Sequence, residues 1–165
     1  MAEEHQPRAY LICGNICTGK TFYAKQLSVA ENAVILSCDE IESDLFQKNL
    51  GDSHDAMAER IHSFLLKKAA EIICHGTNVI LDWGFWRKTD RENTSDYFKS
   101  LNIPYEWHYM DTSPEQRSKN IESRNKAVKN GDSPDYYVDS GLLKKCSTLF
   151  EPPSREEIDV WHEYE

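Results

Sequence analysis

The stretch YLICG (10–14) runs directly into NICTGKT (15–21). A short apolar run stops at a glycine, and five residues later Gly-Lys-Thr opens a segment of good helix formers, TGKTFYAKQLSVAE (18–31). Strand, tight loop and helix in that order allow few architectures, because the helix must pack back onto a sheet that contains the strand. Gly14, Gly19, Lys20 and Thr21 fit G-x-x-x-x-G-K-[ST]. In that pattern, backbone N–H groups of the loop and the positive end of the following helix face phosphate oxygens.

The rest of the chain repeats the alternation. AVILSCDE (33–40) is a second continuous apolar run, ending in two acids. Met57, Ile61, Phe64, Leu65, Ala69, Ile72 and Ile73 mark one face of a long amphipathic helix stopped by His75-Gly76. NVILDWGFW (78–86) reads as a third buried strand, followed by a helix over TDRENTSDYFKSL (89–101). YEWHYMD (105–111) is a more amphipathic fourth strand. A helix then starts at SPEQRSKNIESRN (113–125), with Ser113 as N-cap and Pro114 at the first helical position. KNGDSPDYY (129–137) has the Gly, Asp and Pro of a loop, VDSGLLKKCSTLF (138–150) reads as helix, and IDVWH (158–162) is a candidate edge strand.

Continuous apolar strands alternating with helices predict a parallel sheet covered on both faces. The expected fold is a three-layer α/β/α P-loop NTPase fold of the kinase type, with a mostly parallel sheet of about five strands. Residues 1–165 are expected to form one domain, with a short helical lid over about 113–137. Ligands of such sheets bind beyond the carboxyl ends of the strands, where Gly14, Asp39 and Asp82 all fall.

Composition narrows the partners. Acidic residues outnumber basic ones 28 to 19, a formal charge of −9, which argues against a large nucleic-acid footprint. The polar, acidic start MAEEHQPRAY is no signal peptide, and no apolar run is long enough to span a bilayer. Five cysteines at 13, 17, 38, 74 and 146, with no CxxC pair, fit a reduced cytoplasmic protein better than a disulfide framework or a zinc site.

The chemistry expected at each position follows from residue type. Gly14, Asn15, Ile16, Cys17, Thr18, Gly19, Lys20, Thr21 and Phe22 are the expected nucleotide-binding residues, with Lys20 reaching the β- and γ-phosphates. Thr21 and Asp82 are the expected holders of Mg²⁺, with ATP as the nucleotide. Asp82 could otherwise be a turn acid after its strand. Asp39, at the end of the second strand, is the candidate base for a hydroxyl acceptor; Glu40 competes with it, and both could instead cap the helix EIESDLFQKN (40–49). Arg117 and Arg124 are seven residues apart on one helix and so share a face, from which a lid could neutralise the transferred phosphoryl group or simply face solvent. Trp83, Phe85 and Trp86 are candidate walls of an acceptor pocket or packing between sheet and helix.

The order of the phosphate loop, LSCDE, VILDWGFWRK, SRN and LFEPP resembles the small AAA-type kinases that group with zeta toxins and chloramphenicol phosphotransferase. The resemblance runs from Tyr10 to about Pro153, with DWGFW and FEPP as its most specific pieces. It implies Asp39 as catalytic base and Arg124 as the lid arginine, with Arg117 less securely aligned. The loop interior, Asn15 to Thr18, departs from the family's Pro-Gly-Ser type while keeping the spacing. The expected activity is ATP- and Mg²⁺-dependent phosphoryl transfer to a hydroxyl of a small molecule of the sugar, nucleotide-sugar or antibiotic class. A polynucleotide 5′-hydroxyl kinase and a nucleotide-sensing ATPase that transfers nothing are the alternatives. No membrane partner is expected, and the sequence does not name the acceptor or the oligomeric state.

Overall fold

The computed structural model describes residues 6–46 and 51–165. In chain order the main elements are β1 (Ala9–Cys13), α1 (Lys20–Glu31), β2 (Ala33–Leu36), α2 (Cys38–Phe46) and α3 (His54–Cys74), then β3 (Asn78–Gly84) and α4 (Lys88–Ser100). They continue with β4 (Tyr105–Thr112), α5 (Pro114–Asn130), α6 (Ser140–Leu149) and β5 (Val160–Tyr164). The end of the expected EIESDLFQKN helix, 47–49, lies outside the described residues.

All five strands are parallel, in the order β2-β3-β1-β4-β5. β1 is at the centre because its AYLIC side chains are all buried, and alternate ones feed two cores. Ala9, Leu11 and Cys13 pack with Val79, Leu81, Phe98 and Trp107 on one face. Tyr10, Ile12, Ile80 and Met110 pack against Ala24 of α1 on the other. Two covered faces make three layers. The edge strands β2 and β5 are less buried, as a strand with one free edge should be. From β1 the chain serves both neighbours, β3 and β4, so their carboxyl ends border one crevice.

The strand-to-helix turn after β1 is set by close approach. A Cβ on Gly14 would lie 2.8 Å from Thr18 Oγ1 and 3.3 Å from Met110 Cβ, so no larger residue fits. Gly19 takes φ 89°, a left-handed conformation that glycine adopts without steric cost. As the N-cap of α1 it offers no side chain, leaving the first-turn N–H groups uncapped by a side chain.

Candidate active site

The loop from Gly14 to Thr21 is held from outside by α5. Arg117 Nε donates to the Ile16 carbonyl at 3.0 Å, and Asn120 Nδ2 donates to the Cys17 carbonyl at 3.0 Å. Arg124 Nη1 approaches Cys17 Sγ at 3.6 Å, and its Nη2 lies 3.7 Å from Asp135 Oδ1. These donors sit at positions i, i+3 and i+7 of one helix face, so a single rigid element grips consecutive loop residues. Carbonyls drawn toward α5 bias the loop's N–H groups to the opposite side. Thr18 closes the turn through its own hydroxyl, which donates to the Asn15 carbonyl at 2.9 Å, while Thr112 Oγ1 donates to the Thr18 carbonyl at 3.0 Å. Trp86 Nε1 donates to the Gly14 carbonyl at 3.2 Å, tying the β3 end to the loop.

Lys20 lies across the loop and donates to the Asn15 carbonyl. Burial holds its ammonium pKa below the usual lysine range, against the opposing pull of Asp82, Cys13 and Asp39. Asp82 is buried at the end of β3, and the Thr21 hydroxyl donates to its Oδ2 at 2.9 Å. Burial raises the Asp82 pKa, while Lys20 and the Thr21 hydrogen bond lower it. A hydroxyl and a carboxylate side by side at the mouth of the loop are hard oxygen donors, the chemistry that suits Mg²⁺.

Asp39 occupies the first turn of α2, exposed and facing a cavity of about 1850 Å³ that also takes in the loop, Asp82 and Arg124. Glu40 does not line this cavity, and its backbone N–H donates to Ser37 Oγ at 3.4 Å. Of the two acids, geometry brings only Asp39 to the phosphate loop. The three aromatic residues divide. Phe85 reaches the cavity wall but is otherwise buried, with its ring edge-on to Trp107 at 4.8 Å, so most of its bulk belongs to the core. Trp83 and Trp86 are half-buried and border the cavity, each spending its ring N–H on a backbone carbonyl, Leu36 and Gly14 respectively. Phe22 is 69% exposed beside the loop.

Three contributions escaped the sequence. Asn120 was hidden in a polar helix with no motif around it. Asn125 holds the segment after α5 through a reciprocal pair with the Val138 backbone, at 2.8 and 2.7 Å. The third is the joint between DWGFW and FEPP. The Glu151 N–H donates to the Trp86 carbonyl at 2.8 Å, and Glu151 Oε2 accepts from the Lys88 N–H at 2.6 Å. Buried Arg91 donates to the carbonyls of Phe85 and Glu151 at 3.0 Å each and pairs with Glu157 at 2.9 Å. All five cysteines are free thiols. No helix among the described residues is long and apolar enough to cross a membrane.

Residues 10–153 match the family model for an AAA domain, the same span as the resemblance read from the motifs. No curated protein matches the chain by sequence. Among solved structures, the chain is similar to a presumed kinase from Chloroflexus aurantiacus, with 18% identity, TM-score 0.71, and 97% of this chain and 88% of that chain covered. It is also similar to a sugar kinase from a Janibacter species, at 15% identity and TM-score 0.63, covering 95% and 85% of the two chains. An APS kinase from Mycobacterium tuberculosis, solved with AMPPNP and APS, has 14% identity and TM-score 0.64, with 96% and 88% covered. At such identities the likeness shows the fold, and the fold is the three-layer P-loop NTPase fold.

Proposed function

The chain belongs to the AAA domain family, and from that premise we propose an ATP- and Mg²⁺-dependent kinase acting on a hydroxyl of a small molecule. The observation that carries the reading is the convergence of Lys20, the Thr21–Asp82 pair and Asp39 on one cavity at the carboxyl end of the sheet. A phosphate loop alone binds nucleotide. A second acid lining the same cavity is what a transfer to a second substrate needs.

In this reading the loop N–H groups and the N-terminus of α1 hold the phosphates, and Lys20 exchanges the Asn15 carbonyl for the β- and γ-phosphate oxygens. Thr21 and Asp82 would hold Mg²⁺, which neutralises charge on the phosphates when bound. The acceptor hydroxyl oxygen forms the new bond to Pγ as the bond from Pγ to the β,γ-bridging oxygen breaks. The hydroxyl proton passes to an Asp39 carboxylate oxygen, and ADP leaves. Arg124 stands at the loop on the lid side, placed to meet charge on the transferring group. The segment 113–137 acts as the lid, and residues 1–165 work as one domain. The similarity to solved kinases supports this reading, as does the likeness of the DWGFW and FEPP motifs to the zeta toxin and chloramphenicol phosphotransferase group.

The test is a panel of hydroxyl compounds screened for acceptor-stimulated ADP release together with transfer of a γ-phosphate label. Label in an acceptor supports the kinase. Slow ADP release that no acceptor stimulates would favour a nucleotide-sensing ATPase instead.

A further inference from the structure

One polar cluster lies apart from the proposed catalytic residues, where β4, β5 and α1 meet. His108 of β4 donates its Nε2 proton to Glu106 Oε1 at 2.7 Å, which leaves its Nδ1 as an acceptor lone pair. Two groups converge on that lone pair: Tyr23 Oη of α1 at 2.7 Å and His162 Nε2 of β5 at 3.4 Å. The two imidazole planes are 22° apart with centroids at 5.6 Å, so it is their nitrogen-bearing edges that approach. One lone pair accepts one strong hydrogen bond. The Tyr23 hydroxyl takes it, since 3.4 Å is long for an N–H donor. His162 Nε2 makes no other hydrogen bond among the described residues.

Two imidazole nitrogens at that separation match the bite of a borderline transition metal. Nitrogens bound to one tetrahedral Zn²⁺, each about 2.0–2.1 Å from it, stand about 3.3–3.4 Å from each other. Behind His108 is the carboxylate–imidazole pair that metal-bound histidines use, in which Glu106 orients the ring and raises its basicity. Arg8 Nη1 lies 3.6 Å from the other Glu106 oxygen and steadies that carboxylate in turn. No group of three His, Cys, Asp or Glu among the described residues could hold a metal, so the remaining positions fall to the Tyr23 oxygen and water. Entry is open. His162 is half-buried, and Tyr23 borders the large cavity.

We propose that His108 Nδ1 and His162 Nε2 form a binding site for a divalent transition metal of the Zn²⁺ class, with Glu106 as the outer carboxylate and Tyr23 Oη at its open side. Mg²⁺ is a hard ion and prefers the oxygen pair of Thr21 and Asp82, so the two sites sort cations by ligand type. Metal at the histidine pair ties β4 to β5 beside the first turns of α1. There the Tyr23 N–H donates to the Gly19 carbonyl at 3.0 Å, one helical turn from the phosphate loop. The site needs no acceptor and no phosphoryl transfer, and it stands independently of the kinase reading.

Calorimetric titration of Zn²⁺ into the full chain tests this, in chelator-free buffer with excess Mg²⁺. A Cys74→Ser background removes the exposed thiol as a competing ligand. One Zn²⁺ per chain should bind and raise the thermal midpoint, and Mg²⁺ alone should not reproduce that rise. His162→Ala should weaken Zn²⁺ binding by at least about tenfold and remove the rise, with the circular dichroism spectrum of the metal-free protein unchanged. If that variant unfolds, His162→Gln, which keeps most of the bulk, carries the same expectation. Glu106→Gln leaves both ligating nitrogens in place and should still cost about tenfold, as the loss of an outer carboxylate does. Co²⁺ in place of Zn²⁺ should give visible d–d absorption without a thiolate charge-transfer band. No Zn²⁺ binding, binding indifferent to the His162 substitutions, or a thiolate band would overturn the proposal.

Discussion

The Thr21 hydroxyl donates to Asp82 Oδ2 at 2.9 Å, joining the first turn of α1 to the end of β3 across 61 positions of sequence. This one contact places a strand-end carboxylate beside the phosphate loop. It also keeps that carboxylate buried, at 8% exposure, where its charge is costly.

That cost is measurable. Because burial raises the Asp82 pKa in the fold above its unfolded value, the native state favours the protonated acid. The stabilising contribution is present at low pH and is lost as pH rises through the folded pKa. Asp82→Asn should therefore raise the thermal midpoint of the nucleotide-free protein at pH 7 by a few degrees. The gap to wild type should close as pH falls toward about 4, near the ordinary aspartate range. Calorimetric scans from pH 7 to pH 4 check it; a lower midpoint for the variant at pH 7 would contradict the assignment.

A second titration works with the opposite sign on the same face of the sheet, where Asp82 and His108 are both in register with Ile12. His108 is 3% exposed, with its Nδ1 2.7 Å from Tyr23 Oη and its Nε2 2.7 Å from Glu106 Oε1. Neutral imidazole satisfies both contacts, donating to Glu106 and accepting from Tyr23. Burial lowers its pKa despite the Glu106 hydrogen bond, and burial likewise lowers that of His162, whose ring is stacked on it at 5.6 Å. This stability is present above the unfolded value of about 6.5 and is lost as pH falls below it. His108→Gln should have a shallower decline in thermal midpoint between pH 6.5 and 5 than wild type. An unchanged acid limb would assign the loss to other groups.

The grip of α5 on the loop predicts a division of labour. Arg117→Ala and Asn120→Ala each remove a donor from a loop carbonyl, at Ile16 and Cys17. A hydrogen bond worth about 0.5–1.5 kcal/mol corresponds to a rise of roughly two- to tenfold in the KM for ATP, with kcat less affected. Arg124 contacts a side chain, Cys17 Sγ, in place of the loop backbone, so Arg124→Ala should act mainly on kcat. Steady-state kinetics with a fixed acceptor separates the two patterns. Tenfold weaker ATP affinity with unchanged turnover in Arg124→Ala would make it a nucleotide clamp.

Much of this site was legible because phosphate geometry fixes spacing and burial fixes pattern. Gly14, Gly19, Lys20 and Thr21 could be read from sequence alone, and β1 and β3 declare themselves as apolar runs because both their faces are covered. What escaped were contacts between distant segments. DWGFW and FEPP stood out only as family signatures; the physical reason is that Glu151 and Arg91 sew them together. The strand read at 158–162 is observed as Val160–Tyr164 because Asp159 is used before the ladder: its carboxylate accepts from the Trp107 N–H at 2.7 Å and its own N–H donates to the Trp107 carbonyl at 3.0 Å. Nor does periodicity reveal that β3, rather than β2, lies beside β1. Helix α5 extends to Asn130, ended by Gly131 at φ 77°, beyond the SRN motif where its amphipathic signal fades.

The two acids that line the cavity beside the phosphate loop, Asp39 and Asp82, should fail in different ways. Asp39→Asn keeps the size and much of the hydrogen bonding of the side chain while removing the proton acceptor. A positioned base contributes about 10²–10⁴-fold, so label transfer should fall by that order with ATP binding nearly intact. A loose transition state removes little of the proton early, which places the expected loss toward the lower end. Asp82→Asn instead weakens the oxygen pair formed with Thr21, so its defect should be partly relieved by raising the Mg²⁺ concentration. Asp39→Asn should show no such relief, because more metal on the nucleotide side does not supply a base on the acceptor side. Glu40→Gln, altering an acid that does not line the cavity, should leave transfer within about threefold of wild type, well short of the loss of a positioned base. Turnover of Asp39→Asn within that same margin, or its rescue by Mg²⁺, would remove Asp39 as the base.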